Sequence, residues 1–209
     1  QVEGDPSQVN LSAFRLFFVE RRPFFIEGNN TLNFPIADFS TNNLFYSRRI
    51  GRNPQGSVET DKDENEADED DGDDGVDEHV LMSNNSTILG AAKLTGKNKK
   101  GFSWGILESV TAPEKASIDS LGHQRTQWVE PLTNYLVARA QQEINKGNTI
   151  VGGMFTPTNR KINDTHLNFL HRDAYSGGVD FIHHWKNRTF FISSKTIFSH
   201  VRGSNEAIT

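Results

Sequence analysis

Three runs of this chain repeat one layout, an alternating strand, a tight polar turn and a second strand: Ser86–Ala112, Thr133–Thr158 and Ala174–Val201. Their turns are short and rich in Lys, Asn and Gly, at Gly96–Gly101, Asn145–Asn148 and Lys186–Arg188. The segments between the runs, Pro113–Leu132 and Asn159–Asp173, read as long polar connections. Short turns alternating with long loops place all tight turns at one end of an antiparallel sheet and all loops at the other. That asymmetry is the one expected of a transmembrane β-barrel.

Composition agrees with such a sheet. Hydrophobic residues make up only 34% of the 209 positions, yet 15 of them are Phe. No stretch approaches the ~18–20 continuous apolar residues of a membrane helix. Barrel strands alternate apolar with polar residues, so low mean hydropathy is no obstacle to them. The absence of cysteine excludes a disulfide framework and thiol chemistry. Six strands fall short of the roughly eight that close the smallest barrels, and the chain opens at Gln1 without an initiator Met or leader. It therefore reads as a segment of a longer polypeptide.

Charge is segregated. Of 27 acidic residues, 13 lie between Glu59 and Glu78, leaving 14 acids against 21 Lys and Arg elsewhere. The insert is too polar to bury a core and is expected to be solvated or disordered. Three regions follow: a helical and loop segment over 1–55 that packs in or against the barrel, the acidic insert over 56–79, and hairpins over 80–209. In the first, Asn10 caps a predicted helix from Leu11 to about Glu20, with Leu11, Phe14, Phe17 and Phe18 on one face. Pro23 is expected to stop it. Asn29–Asn43 reads as loop and Leu44–Ile50 as a short strand.

Alternation assigns strand faces. Leu136, Ala138 and Ala140 oppose Val137, Arg139, Gln141 and Glu143. Tyr175, Val179, Phe181 and Trp185 oppose Asp180 and His184. Phe191, Ile197 and Val201 share a face with Lys195. Phe102, Trp104, Ile106 and Val110 align with Glu108, which leaves the faces of that strand unassigned. Phe102, Trp104, Trp128, Tyr135, Tyr175, Trp185 and Phe190 lie near strand ends, as in the aromatic girdles of membrane interfaces. The alternative is a soluble sandwich whose aromatics form a core.

The lumen-facing residues Arg139, Gln141, Glu143, Asp180 and His184 are the candidates for contact with a solute. Arg21, Arg22, Glu27, Arg48 and Arg49, with Glu20, are expected to form an ion-paired cluster of an inward-folded plug that includes Phe24 and Phe25. The competing reading is an Arg grip on an anionic substrate. No EF-hand fits the insert, because Glu66 stands where Gly is required and Gly72 where the bidentate Glu belongs. Only weak, diffuse Ca²⁺ binding is left open there. His183 and His184 face opposite sides of a strand, and with His166 and His171 they predict no metal site. Glu108, Glu130, Glu143, Asp173 and Asp180 show no spacing that selects a hydrolytic pair. Gly152-Gly153 and Gly177-Gly178 sit in strands and mark close packing or a bend rather than a phosphate loop. The expectation is no catalytic residue, no cofactor, no metal and no nucleic-acid partner.

Several motifs carry a family resemblance. They are Gln1–Ser7, Val9–Phe14, Glu20-Arg21-Arg22-Pro23-Phe24-Phe25-Ile26-Glu27-Gly28, Leu44-Phe45-Tyr46-Ser47-Arg48-Arg49-Ile50-Gly51-Arg52 and Ile88–Lys97. Together they resemble a family of Gram-negative outer-membrane β-barrel proteins of unassigned function. Its members often carry an N-terminal module similar to family 9 carbohydrate-binding domains, absent from this chain. The resemblance implies that this module and the first strands precede Gln1, and that more strands follow Thr209. The acidic run Asp61–Glu78 looks like an insertion in the family pattern. The resulting expectation is an all-β antiparallel meander of long hairpins, part of an outer-membrane barrel. It would act as a pore, transport or surface scaffold linked to glycan or nutrient handling, with lipid, glycans and other envelope proteins as partners. The alternative is a soluble or periplasmic carbohydrate-binding protein or glycoside hydrolase.

Overall fold

The computed structural model describes residues 18–36, 43–58, 78–120 and 122–208. The expected helix over residues 11–20 lies almost wholly outside these residues, as do the candidate calcium positions of the acidic run.

Among the described residues the protein is all-β, with nine strands in two antiparallel sheets. The strands are β1 (His79–Leu81), β2 (Ile88–Lys97), β3 (Phe102–Thr111), β4 (Glu114–Ser120), β5 (His123–Glu130), β6 (Leu132–Ile144), β7 (Thr149–Lys161), β8 (Asp173–Trp185) and β9 (Phe190–Arg202). The larger sheet runs β2-β3-β6-β7-β8-β9, and its three sequential hairpins match the three repeated runs of the sequence. It is an open sheet, with β2 and β9 as its edges. The tight turns follow from residue type. Asn145, Lys146 and Gly147 all take positive φ, as do Lys186, Asn187 and Arg188, a backbone region that Asn and Gly enter most readily.

The second sheet, β1-β4-β5, corrects the reading of Pro113–Leu132 as a loop. Ala116, Ile118 and Val129 are fully buried there, so a few small apolar side chains suffice for a compact hairpin between charged neighbours. The connection after β7 is shorter than expected and holds a 3-10 turn, Thr165–Leu167, with Leu167 and Leu170 buried. Leu44–Ile50 is not a strand. Ser47–Arg49 forms a 3-10 turn closed by the Ile50 amide donating to the Ser47 carbonyl at 2.9 Å, although Leu, Phe, Tyr and Ile favour extended backbone. Pro23 does not end a helix among the described residues but occupies the first turn of α1 (Pro23–Ile26), where its missing N–H costs nothing.

The two faces of the large sheet differ. On β3 the pattern is strict: Gly105, Leu107, Ser109 and Thr111 are buried, while Phe102, Trp104, Ile106 and Glu108 are exposed. Glu108 thus shares the exposed face, paired with Leu136. The buried face is covered by the N-terminal segment. Phe25, Leu32, Phe34 and Ile50 pack there on Leu107, Tyr135, Val137 and Met154. Burying each such large apolar side chain stabilises the docked segment by about 1.5–3 kcal/mol. Gly178 makes the docking possible, since a Cβ at that position would meet the Phe34 ring at 2.8 Å. Tyr135 belongs to this core and Trp128 to β5, so neither is part of an aromatic girdle as expected.

Candidate solute-contact site on the covered face

The odd-numbered positions of β6 put Val137, Arg139, Gln141 and Glu143 on the covered face. Ladder register then aligns Gln141 with Gly152 of β7 and Asp180 of β8. Glycine at 152 leaves the gap that the Asp180 carboxylate fills, because a Cβ there would fall 2.7 Å from Asp180 Oδ1. Arg139 Nη2 donates to Asp180 Oδ2 and to Gln141 Oε1, both at 3.1 Å. The Arg139 guanidinium also lies 4.9 Å from the centre of the Phe34 ring. With the Arg139 side chain only 6% exposed, this pair is desolvated and depends on its geometry.

Two atoms of the pair keep hydrogen-bonding capacity. Arg139 Nη1 and Asp180 Oδ1 are buried without a partner among the described residues. Both residues line a cavity of about 260 Å³ with Phe34, Pro35, Ile150 and Lys195. The cavity combines a guanidinium, a carboxylate, an ammonium and an aromatic ring. That set can hold a polar solute by paired donors and acceptors while stacking one apolar face on Phe34. Asp180 is the one carboxylate among the described lining residues.

The five solute-contact candidates do not form one group. Arg139, Gln141 and Asp180 come together. Glu143 lies toward the tight turns, where it accepts a hydrogen bond from Lys97 Nζ at 2.7 Å. His184 is four residues beyond Asp180, about 13 Å along the strand. Its ring packs 5.8 Å from that of Phe191, with a buried Nδ1 that has no partner among the described residues. His183 lies on the opposite face, stacked between Phe181 and Trp185. Among the described residues, no three His, Asp or Glu side chains are placed to share a metal ion. Phe34 and Pro35, central to the cavity, sit in the stretch that the sequence marks as loop. The signal for them was an aromatic-proline pair within an Asn-rich segment.

The N-terminal cluster centres on Glu20 and Arg22. Arg22 donates from Nε and Nη2 to the two Glu20 oxygens, each at 2.8 Å, and Ser47 Oγ adds a 2.5 Å bond. Burial opposes the charge of Glu20, yet these hydrogen bonds outweigh it and pull the carboxyl down to about 2 from its usual 4.5. Arg22 also donates to the Ile50 and Ser47 carbonyls and stacks 4.2 Å from the centre of the Phe25 ring. Arg48 donates to the Val19 carbonyl at 2.8 Å. Glu27 enters through its backbone, since Lys93 Nζ donates to the carbonyls of Phe24 and Glu27. Arg21 takes a backbone bond to Glu20 Oε1 at 3.1 Å, and the Arg49 amide donates to the Tyr46 carbonyl. These contacts lock the segment to itself and to β2.

Compared with known protein families, residues 1–209 match the model described as Domain of unknown function (DUF5916), across the whole chain. No curated protein and no solved structure matches the chain significantly.

Proposed function

The chain belongs to the DUF5916 family, and from that premise we propose that it is a section of an outer-membrane β-barrel whose lumen handles polar solutes such as glycans. The observation that carries this reading is the uncovered face of the large sheet. Leu94, Trp104, Ile106, Val151, Phe155, Val179, Phe181 and Ile192 are exposed there. A contiguous exposed apolar face marks a surface that meets a membrane or a protein partner. Lipid fits it in three respects.

First, the uncovered positions of β8 run from Tyr175 to Trp185, ten residues apart. At ~3.3 Å per residue and a tilt of about 40°, that projects to roughly 25 Å, the height of a barrel's apolar belt. Second, the ends of the belt carry aromatics. Phe102, Trp104, Trp185 and Phe190 stand at the turn end, and Tyr175, stacked on His200, stands toward the loop end. Third, the opposite face holds the polar residues and a plug-like segment, as a barrel interior does. The edges β2 and β9 pair on one side only, so closure requires additional strands. No helix among the described residues is long and apolar enough to cross a membrane, which leaves crossing to the strands.

The link to glycans comes from the family resemblance and from the cavity beside Phe34, where a hydroxyl group can donate to Asp180 Oδ1 and accept from Arg139 Nη1. A carbohydrate-binding surface is the alternative, favoured by the row Phe181, His183, Trp185 and Phe190, whose neighbouring rings stack with centroids 5.9–6.5 Å apart.

Fractionation of cells expressing the full-length protein tests the proposal. Recovery in detergent-extracted outer membrane, with a band whose mobility changes on boiling, is the expected result. Recovery in the soluble periplasm would overturn it and direct attention to the aromatic row as a sugar platform.

A further inference from the structure

The tight turns of the large sheet share one sign of charge. Gly96–Gly101, Asn145–Asn148 and Lys186–Arg188 hold Lys97, Lys99, Lys100, Lys146, Lys186 and Arg188, and within the turns there is no Asp or Glu. All six basic residues are exposed. Lys97 pairs with Glu143 of β6, and the other five belong to the turn tips.

Ladder register sets the three turns on one level. Phe102 begins β3 at the first turn and is paired with Gln142, and β6 runs two residues farther to the second turn, to Ile144. Thr149, opposite Ile144, is paired with His183, and β8 again runs two residues farther, to Trp185 at the third turn. Two residues rise ~7 Å while two strand spacings cover ~10 Å, a slope of about 35°. Barrel strands tilt by about 35–45°, so in a sheet tilted that way the three turns stand level. Hydrogen bonds tie them into one rim. Gln142 Nε2 donates to the Lys100 carbonyl at 2.9 Å, and the Glu143 amide donates to the Gly101 carbonyl at 2.9 Å. Arg188 reaches Asn148 Oδ1 and the Gly147 carbonyl, each at 3.4 Å. A rim fixed in advance loses less freedom on meeting a ligand.

The rim borders the apolar face. Phe102, Trp104, Trp185 and Phe190 are exposed at that edge, and Lys186 Nζ lies 5.3 Å from the centre of the Phe190 ring. Cations beside an aromatic-edged apolar surface match both parts of an anionic phospholipid, the headgroup phosphate and the acyl chain. A wholly polar partner would meet the charges and leave the apolar border unmatched. We propose that the three tight turns form a basic rim that binds anionic phospholipid headgroups, with phosphatidylglycerol as the representative ligand. This rests on the membrane reading of the uncovered face and adds a headgroup preference to it.

Spin-labelled lipids test the proposal on the full-length protein reconstituted in phosphatidylcholine vesicles. Electron paramagnetic resonance compares phosphatidylglycerol and phosphatidylcholine probes in the motionally restricted fraction that touches the protein. The expected result is about a threefold preference for phosphatidylglycerol, cut by about half or more in ~0.5 M sodium chloride and in the K99Q/K100Q/K146Q/K186Q variant. The K115Q/K161Q pair, away from the turns, is expected to keep the preference. Equal association of both probes, with a restricted fraction present, overturns the proposal while membrane insertion stands, and directs the search to an acidic protein partner. An undiminished preference in the fourfold variant, or an equal fall in K115Q/K161Q, also overturns it. A restricted fraction missing with both probes overturns the membrane reading and this proposal together. If the fourfold variant loses its heat-modifiable band, the K99Q/K100Q pair carries the same comparison.

Discussion

The two faces of the large sheet share one backbone ladder yet answer opposite demands. The covered face carries Arg139, Gln141, Asp180 and Lys195 and still buries Phe25, Leu32, Phe34 and Ile50 from the N-terminal segment. The uncovered face carries Phe155, Val179, Phe181 and Phe198 and meets no protein among the described residues. In a water-soluble sheet the polar face is the one left bare. Here, among the described residues, the polar face is covered and the apolar face is bare, which inverts the usual order and is the ground for the proposed lipid surrounding.

That contrast can be broken from either side. Phe34→Ala should have the largest effect, about 3–5 kcal/mol of stability, because it empties the centre of the docked segment. Chemical denaturation of the full-length protein measures it, and a loss below 1 kcal/mol would show that the segment does not hold the sheet. Val179→Arg on the uncovered face comes next. In a lipid-facing position the expected cost is about 2–4 kcal/mol in unfolding from vesicles, whereas on a water-facing sheet the same change is worth within about 0.5 kcal/mol. This variant discriminates between the two surroundings directly.

Gly178→Val should cost about 1–3 kcal/mol by driving a side chain into the Phe34 ring. Gly153→Val, on the other face, meets nothing closer than 3.5 Å and should be close to neutral. Equal effects of the two substitutions would refute the assignment of which face is packed.

The smallest effect is on pH dependence. The Glu20 carboxyl sits at about 2 in the folded protein, below its ordinary 4.5. A depressed carboxyl stabilises the fold fully above about pH 4.5 and loses that contribution as pH falls toward 2. Glu20→Gln should therefore flatten the acid side of the stability profile between pH 5 and about 2. A wild-type curve with no acid-side slope in that window would contradict the tight Glu20–Arg22 pairing.

Local periodicity explains what was legible. Leu136, Ala138 and Ala140 against Val137, Arg139, Gln141 and Glu143 is a period-two signal, and burial along β6 alternates with it as far as Ala140. The turns at 145–148 and 186–188 were legible because Asn and Gly favour left-handed backbone. The β4–β5 hairpin was missed because Ala116 and Ile118 are too few and too small to stand out among Glu, Lys, Ser and Asp. Leu44–Ile50 misled because its residues favour strands, while its place beneath the sheet offered no ladder to join. Tyr135 looks like an interface aromatic from the sequence, which shows the strand end but not the segment that covers it.

Alternation and turn chemistry are carried by neighbouring residues, so the three long hairpins, their order and the faces of β6 and β8 could be read without coordinates. Contacts between distant residues could not. Arg139 meets Asp180 across 41 positions because two hairpin registers and the small size of Gly152 bring them into line. Phe34 reaches them from a segment without periodicity, guided by the space above Gly178. Register summed over several strands, and the docking of an irregular segment, are properties of the assembled chain. They decide which face is covered and which charges share a cavity.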